Sequence, residues 1–314
     1  MTHSQEMPEQ TRPPKPPVGV IGTGRIGSPI ARKLLGAGYA VHVYDIRKEA
    51  YVDLVRGGAT YQDSSRAVAE ASQIIILSLM TIDTVEKVLF GKDGVAHAGL
   101  KGRVVIDMST GIPSQTQRLA ARVAALGGAM LDAPVTGGEG GARAGTLNIM
   151  VGGNRDAFRR CKPLLEVLGG TVVRVGPSGA GQVAKMANQV IVSAQFAAVI
   201  EAFALLEECG VDVTQVLEAI ETGGAQSRQL THLGQAYRRA QASGEGEAAR
   251  TDGDHYALLF NKDLHYALEE GFRHNCPLPI TATVHELFKR GLAERCEGSF
   301  PLRLIQLWRV DRTD

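Results

Sequence analysis

The chain has 314 residues, 44% of them hydrophobic, which is enough apolar material for two domains with filled cores. Thirty-four Lys and Arg are matched by thirty-three Asp and Glu, and no segment gathers the positive charge that binding a phosphate backbone requires, so nucleic acid is not expected as a partner. Cys161, Cys209, Cys276 and Cys296 are scattered, without a CxxC pair or a His/Cys cluster at ligand spacing; no metal site is expected, and the thiols read as reduced, in a cytoplasmic protein.

Met1 to Pro17 hold five prolines and no apolar h-region, the composition of a disordered tail rather than a signal peptide. Val18-Gly-Val-Ile21 then reads as a buried strand, followed directly by Gly22-Thr23-Gly24-Arg25-Ile26-Gly27 and a helical segment that Gly36-Ala-Gly38 ends. In such a turn the first glycine permits the bend, the second lets backbone approach a pyrophosphate, and the third allows close helix–strand packing. Tyr39 to Tyr44 forms a second strand ending in Asp45, at the offset of an acid that accepts hydrogen bonds from a ribose. Its charge would repel a 2′-phosphate, so NAD is favoured, with NADP as the alternative because Arg47 and Lys48 follow.

Apolar strands at Ile74–Leu79, Val104–Met108 and Met130–Ala133 alternate with helices around Val85–Leu89 and Ser114–Leu126, the pattern of an α/β, Rossmann-type doubly wound parallel sheet. Ligands of such sheets gather at the strands' carboxyl ends, which makes Leu79, Met80 and Thr110 expected walls of the cofactor site. Next comes a second glycine-dense segment, Asp132 to Leu147, which reads as a plain turn or, with Thr136 beside Gly137 and Gly138, as a nest for a carboxylate.

From Gly181 the chain becomes one long Ala- and Leu-rich helix, interrupted by Lys185, Asn188, Gln189, Ser193, Gln195 and Glu201, which is ordinary for a core helix and costly across a bilayer. Lys185 near its start either snorkels to solvent or, partly desolvated, titrates nearer neutrality and exchanges a proton with substrate.

The ordered set Gly22–Gly27, Asp107-Met-Ser-Thr110, Asp132–Leu147, Gly179-Ala-Gly-Gln-Val-Ala-Lys185-Met-Ala-Asn188 and Lys262-Asp263-Leu264 resembles the β-hydroxyacid dehydrogenase family, that of 3-hydroxyisobutyrate dehydrogenase and tartronate semialdehyde reductase, within the 6-phosphogluconate dehydrogenase-like enzymes. The resemblance implies a Rossmann-type domain over residues 18–178, an all-α helical domain over 179–314 for substrate and oligomerisation, and an active site between them. It further implies Lys185 as the catalytic lysine, Thr136, Gly137, Gly138 and Asn188 as contacts to the carboxylate of a small substrate, with Gln189 able to share that task, and Lys262 as a cofactor contact. A homodimer or homotetramer is expected. Imine-reducing relatives generally lack the lysine, so a hydroxy acid is the expected substrate, ahead of an imine, a small aldehyde or a binding protein without turnover.

Two departures from the family stand out. Met80 and Thr81 replace its usual Pro and Asn, and the stretch from Ser227 to Lys262 is longer than in typical members. Within it, Ala242 to Asp254 reads as an exposed loop, with His255 and Tyr256 in place of the aromatic residues expected to wall the pocket.

Overall fold

The computed structural model describes residues 14–243, 250–293 and 304–305. The chain divides into two compact units, one ending at Gln182 and the other beginning at Val183.

The first unit runs β1 (Val18–Ile21), α1 (Gly27–Gly36), β2 (Val41–Tyr44), α2 (Val52–Arg56), β3 (Thr60–Tyr61), α3 (Ser65–Glu70), β4 (Ile74–Leu77), α4 (Ile82–Phe90), β5 (Val104–Asp107), α5 (Pro113–Ala125) and β6 (Ala129–Asp132). These strands pair in parallel in the order β3-β2-β1-β4-β5-β6. The order reverses between β1 and β4, which is the doubly wound arrangement. Side-chain alternation covers both faces. Val18, Val20, Ile74 and Ile76 join one core with Ile30 and Leu34 of α1, while Ile21, Ile75 and Leu77 join another with Val68 of α3, Val85 and Leu89 of α4 and Leu119 of α5. Side chains close the open helix starts: Ser64 caps α3 and Thr81 caps α4, each worth about 1 kcal/mol.

Beyond β6 the sheet continues with β7 (Val135–Thr136), α6 (Gly138–Ala144), β8 (Leu147–Gly153), α7 (Arg155–Leu168) and β9 (Gly169–Gly176). β7 prolongs β6 along β8 in one antiparallel register, with Leu131 opposite Gly153, Asp132 opposite Gly152, Val135 opposite Ile149 and Thr136 opposite Asn148. Pro134 has no N–H for the ladder and splits the line in two, while its carbonyl still accepts from the Met150 amide at 3.2 Å. The glycine-dense segment after Asp132 is therefore a short strand and a helix rather than a plain turn. Cys161 of α7 lies in the core beside Leu164 and Leu165, and burial pushes its thiol up to about 11. Cys209 and Cys276 are exposed free thiols.

The expectation of a tail up to Pro17 is corrected at its end. Lys15 donates to the Ala37 carbonyl and sits over the Tyr39 ring, and the Pro17 carbonyl accepts from Gln73, so the chain is held from Lys15 onward; residues 1–13 lie outside the described set.

The second unit is helical: α8 (Ala180–Glu208, begun in the first unit), α9 (Val213–Glu221), α10 (Arg228–Ser243), α11 (Arg250–Arg273) and α12 (Pro279–Ala293). Ile200 and Phe203 of α8, Leu217 of α9, Leu233 of α10, Leu264 of α11 and Phe288 of α12 share its core. α8 is 29 residues long and, by length and composition, apolar enough to cross a membrane, yet it buries the polar Lys185, Gln189 and Ser193 inside the protein. The loop expected from Ala242 to Asp254 is also corrected. α10 reaches Ser243 and α11 starts at Arg250, so the backbone of His255 and Tyr256 is helical, leaving 244–249 outside the described residues.

Candidate active site

In the first unit the glycine turn joins β1 to α1 at the carboxyl edge of the sheet. Gly22 has φ +85°, and a Cβ there would meet the Ser78 carbonyl oxygen at 2.4 Å; a Cβ on Gly27 would lie 1.9 Å from the Gly22 carbonyl oxygen. Both positions thus require glycine. Around Gly24 the space is open, the nearest atom to a Cβ being the Arg47 guanidinium at 3.6 Å. Asp45 accepts from the Thr23 amide at 2.8 Å and the Arg47 amide at 2.9 Å, with the Arg47 guanidinium 3.6 Å away. The buried Thr23 hydroxyl has no partner among the described residues, an orphaned group at the loop where a dinucleotide's phosphates are expected. Open backbone at Gly24, the orphaned hydroxyl and the acid at the end of β2 fit such a cofactor.

Of the expected walls, Leu79 is half-buried and donates its amide to Ser109 Oγ at 2.9 Å; Met80 is exposed and Thr110 half-buried, both just past strand ends. Thr136 closes β7, and Gly137 (φ +120°) and Gly138 (φ +62°) make the bend into α6, a conformation that side chains would disfavour. Arg25 of the glycine turn reaches this bend, its Nε lying 3.2 Å from Glu139, which also accepts from Arg143 Nε at 3.0 Å. The dinucleotide turn and the Thr136–Gly138 bend are therefore linked by an ion pair.

In the second unit Lys185 is buried on α8. Its Nζ donates to Gln189 Oε1 at 3.1 Å, and Asn188 Nδ2 donates to the same oxygen at 3.0 Å. Gln189 Nε2 donates to Asp263 Oδ2 at 2.8 Å, and Lys262 Nζ lies 3.4 Å from Asp263 Oδ1. A carboxylate only accepts, so Asp263 fixes which way the Gln189 amide points and keeps its oxygen toward Lys185. Burial lowers the Lys185 pKa, Asp263 raises it, and Lys262 lowers it.

The lysine does not snorkel. An amine out of water, hydrogen-bonded and held below its ordinary pKa, gives up its proton more readily than a surface lysine, which suits it to exchanging one with a bound substrate.

Sequence reasoning gave Gln189 only a share in Asn188's task and passed over Asp263, which folds back from 74 residues away. The spacing of Lys185 and Gln189, one helical turn apart, is the signal that was available for the first. Asp132, at the end of β6, and Gln182, in the first turn of α8, are buried polar residues that lie within the family's motifs but were given no role.

A doubly wound sheet that presents a glycine turn and a ribose-side acid, on a chain that also buries a hydrogen-bonded lysine, marks an NAD(P)-dependent oxidoreductase. Residues 17–176 match the family model of the NAD binding domain of 6-phosphogluconate dehydrogenase, and residues 179–300 that of the NAD-binding region of NADP-dependent 3-hydroxyisobutyrate dehydrogenase. The 2-hydroxy-3-oxopropionate reductase of Escherichia coli (strain K12) is 42% identical over 272 residues, covering 86% of this chain and 89% of the reductase. The 3-hydroxyisobutyrate dehydrogenase of Pseudomonas aeruginosa is 34% identical over 86% of this chain and 90% of its own. Among solved structures, Mycobacterium tuberculosis 3-hydroxyisobutyrate dehydrogenase with L-serine superposes with a TM-score of 0.82 at 26% identity, covering 94% of this chain and 99% of that one. The chain belongs to the β-hydroxyacid dehydrogenase family.

Proposed function

We propose that the protein interconverts a small β-hydroxy acid of the 3-hydroxyisobutyrate or tartronate semialdehyde kind with its carbonyl form. The observation that carries this reading is Lys185, a buried amine whose pKa burial lowers and whose position Gln189 and Asp263 hold. A nicotinamide dinucleotide held at the glycine turn by Gly22–Gly27 and Asp45 would provide the hydride-exchange chemistry. In oxidation neutral Lys185 takes the hydroxyl proton; in reduction its ammonium polarises the carbonyl and returns the proton to oxygen. The Thr136 hydroxyl, the Gly137 and Gly138 amides and Asn188 hold the substrate carboxylate and so fix the reacting carbon, while Lys262 serves the cofactor. The reductase relative named above, at 42% identity, supports the substrate class.

The test is Lys185→Ala, assayed with tartronate semialdehyde, 3-hydroxyisobutyrate, serine and glycerate. Turnover is expected to fall by about 10²-fold or more, the scale of lost acid–base catalysis, with dinucleotide affinity unchanged. A loss of only a few-fold would remove Lys185 from proton transfer.

NAD is the favoured dinucleotide, on the charge of Asp45. A homodimer or homotetramer is supported by α8, whose exposed face presents Val183, Ala187, Ile191, Ala198, Ala202 and Leu205 at helical spacing, more apolar surface than a lone helix face in water accounts for. The free thiols described above are consistent with the cytoplasm.

A further inference from the structure

We infer that Asp132 is a positioning residue for proton transfer: from the end of β6 its carboxylate caps the first turn of α8 and holds the amides from which that helix runs on to Lys185. The inference rests on Lys185 being the proton-transfer group.

The first amides of any helix lack partners within it. Ser178, the residue type that caps locally, leaves its buried hydroxyl without a partner among the described residues. Asp132, 47 residues earlier, takes that place instead. Its Oδ1 accepts from the Gly179 amide at 2.8 Å and its Oδ2 from the Gln182 amide at 3.2 Å. Two glycines make the approach possible, because a Cβ on Gly152 would lie 2.5 Å from Oδ2, and one on Gly181 would lie 2.8 Å from Oδ2 and 2.5 Å from the Met150 carbonyl oxygen.

Gln182 completes the fixation from the neighbouring strand end. Its Oε1 accepts from the Gly111 amide and its Nε2 donates to the Ser109 carbonyl, each at 2.9 Å. Four directional bonds from the ends of β5 and β6 thus hold one buried helical turn, and Asp132 and Gln182 are both fully buried. Lys185 follows Gln182 by three residues, a rise of about 4.5 Å along the same helix. A fully buried carboxylate that meets backbone amides is suited to holding geometry, and a displacement of about 1 Å at a reacting group costs on the order of 10²-fold in rate.

The experiment uses the full-length enzyme and two variants, Asp132→Asn and Gln182→Ala, with Lys185→Ala as control. Asparagine sets an NH2 group against an amide N–H whichever way it turns. Three quantities are measured: hydrogen exchange in the peptide spanning residues 179–186, the dissociation constant for NAD and NADH, and kcat and KM on the hydroxy-acid panel. Both variants are expected to exchange faster in that peptide and to lose at least about ten-fold in kcat, with dinucleotide affinity within about two-fold of wild type. Should Asp132→Asn fail to fold, Asp132→Glu takes its place, since it keeps two acceptor oxygens but sets them one methylene further from the backbone. Unchanged exchange in the 179–186 peptide, or a kcat within two-fold of wild type in the folded variants, overturns the inference. Failure of the underlying reading looks different: Lys185→Ala would keep its turnover.

Discussion

Lys185 is subject to two opposed charges from α11, with Asp263 favouring its ammonium and Lys262 opposing it, on top of burial that already lowers its pKa. The consequences for pH dependence have opposite signs. Asp263→Asn removes the group that raises the Lys185 pKa, so the acidic limb of kcat/KM for alcohol oxidation should move to lower pH; Lys262→Gln removes a group that lowers it, and the limb should move to higher pH. A pH–rate series on both variants checks this, and shifts in the same direction would mean that the two residues do not act through charge. At Asp45, whose carboxylate meets two backbone amides, substitution by serine leaves Arg47 and Lys48 in place. The ratio of kcat/KM with NADP to that with NAD should rise by at least about ten-fold once the repelling charge is gone. Lys185 was legible in the sequence because a charge inside an apolar helix demands a partner or a purpose. Asp263 and Asp132 were not, since an acid beside a lysine or at a strand end is unremarkable until folding supplies its distant amide partners.

Among elements, the strands most readily read were those buried on both faces. β1, β4 and β5 are buried at every position and apolar up to the Asp107 that ends β5, because helices cover both sides of the sheet there. β8 and β9 carry weaker signals, since β8 ends in paired glycines and β9 exposes Val173 and Val175. The start of α11 went unread for another reason. Arg250 to Asp254 are polar and include a glycine, yet they continue a helix whose later turns bury Leu264 and Ala267, and adding residues to an existing helix is far easier than starting one. α8 yields a test of assembly. Ile191 stands 58% exposed in the middle of its apolar stripe, so Ile191→Asp should reduce the molar mass found by light scattering while leaving the melting temperature of the dissociated chain nearly unchanged. An unchanged mass would mean that the stripe is not where copies meet.

For the molecule as a whole, the order of motifs along the chain gave the doubly wound sheet and the helical unit after it, because each motif is tied to one place in the fold: glycines at the first crossover, an acid at the second strand, a lysine on the long helix. What the motifs left open was the stretch in which the sheet turns antiparallel, where Pro134 divides one strand line into β6 and β7. The molecule also contains its own reporter of unfolding. Cys161 is sealed between α7 and the sheet with its thiol held far from the reactive thiolate, whereas Cys209 and Cys276 face solvent. A thiol reagent followed by peptide mass spectrometry should modify the two exposed cysteines at once and Cys161 only as fast as the first unit opens. That single labelling rate would time the opening of the dinucleotide-binding unit without any engineered probe, and a dinucleotide that binds there should slow it in proportion to its occupancy.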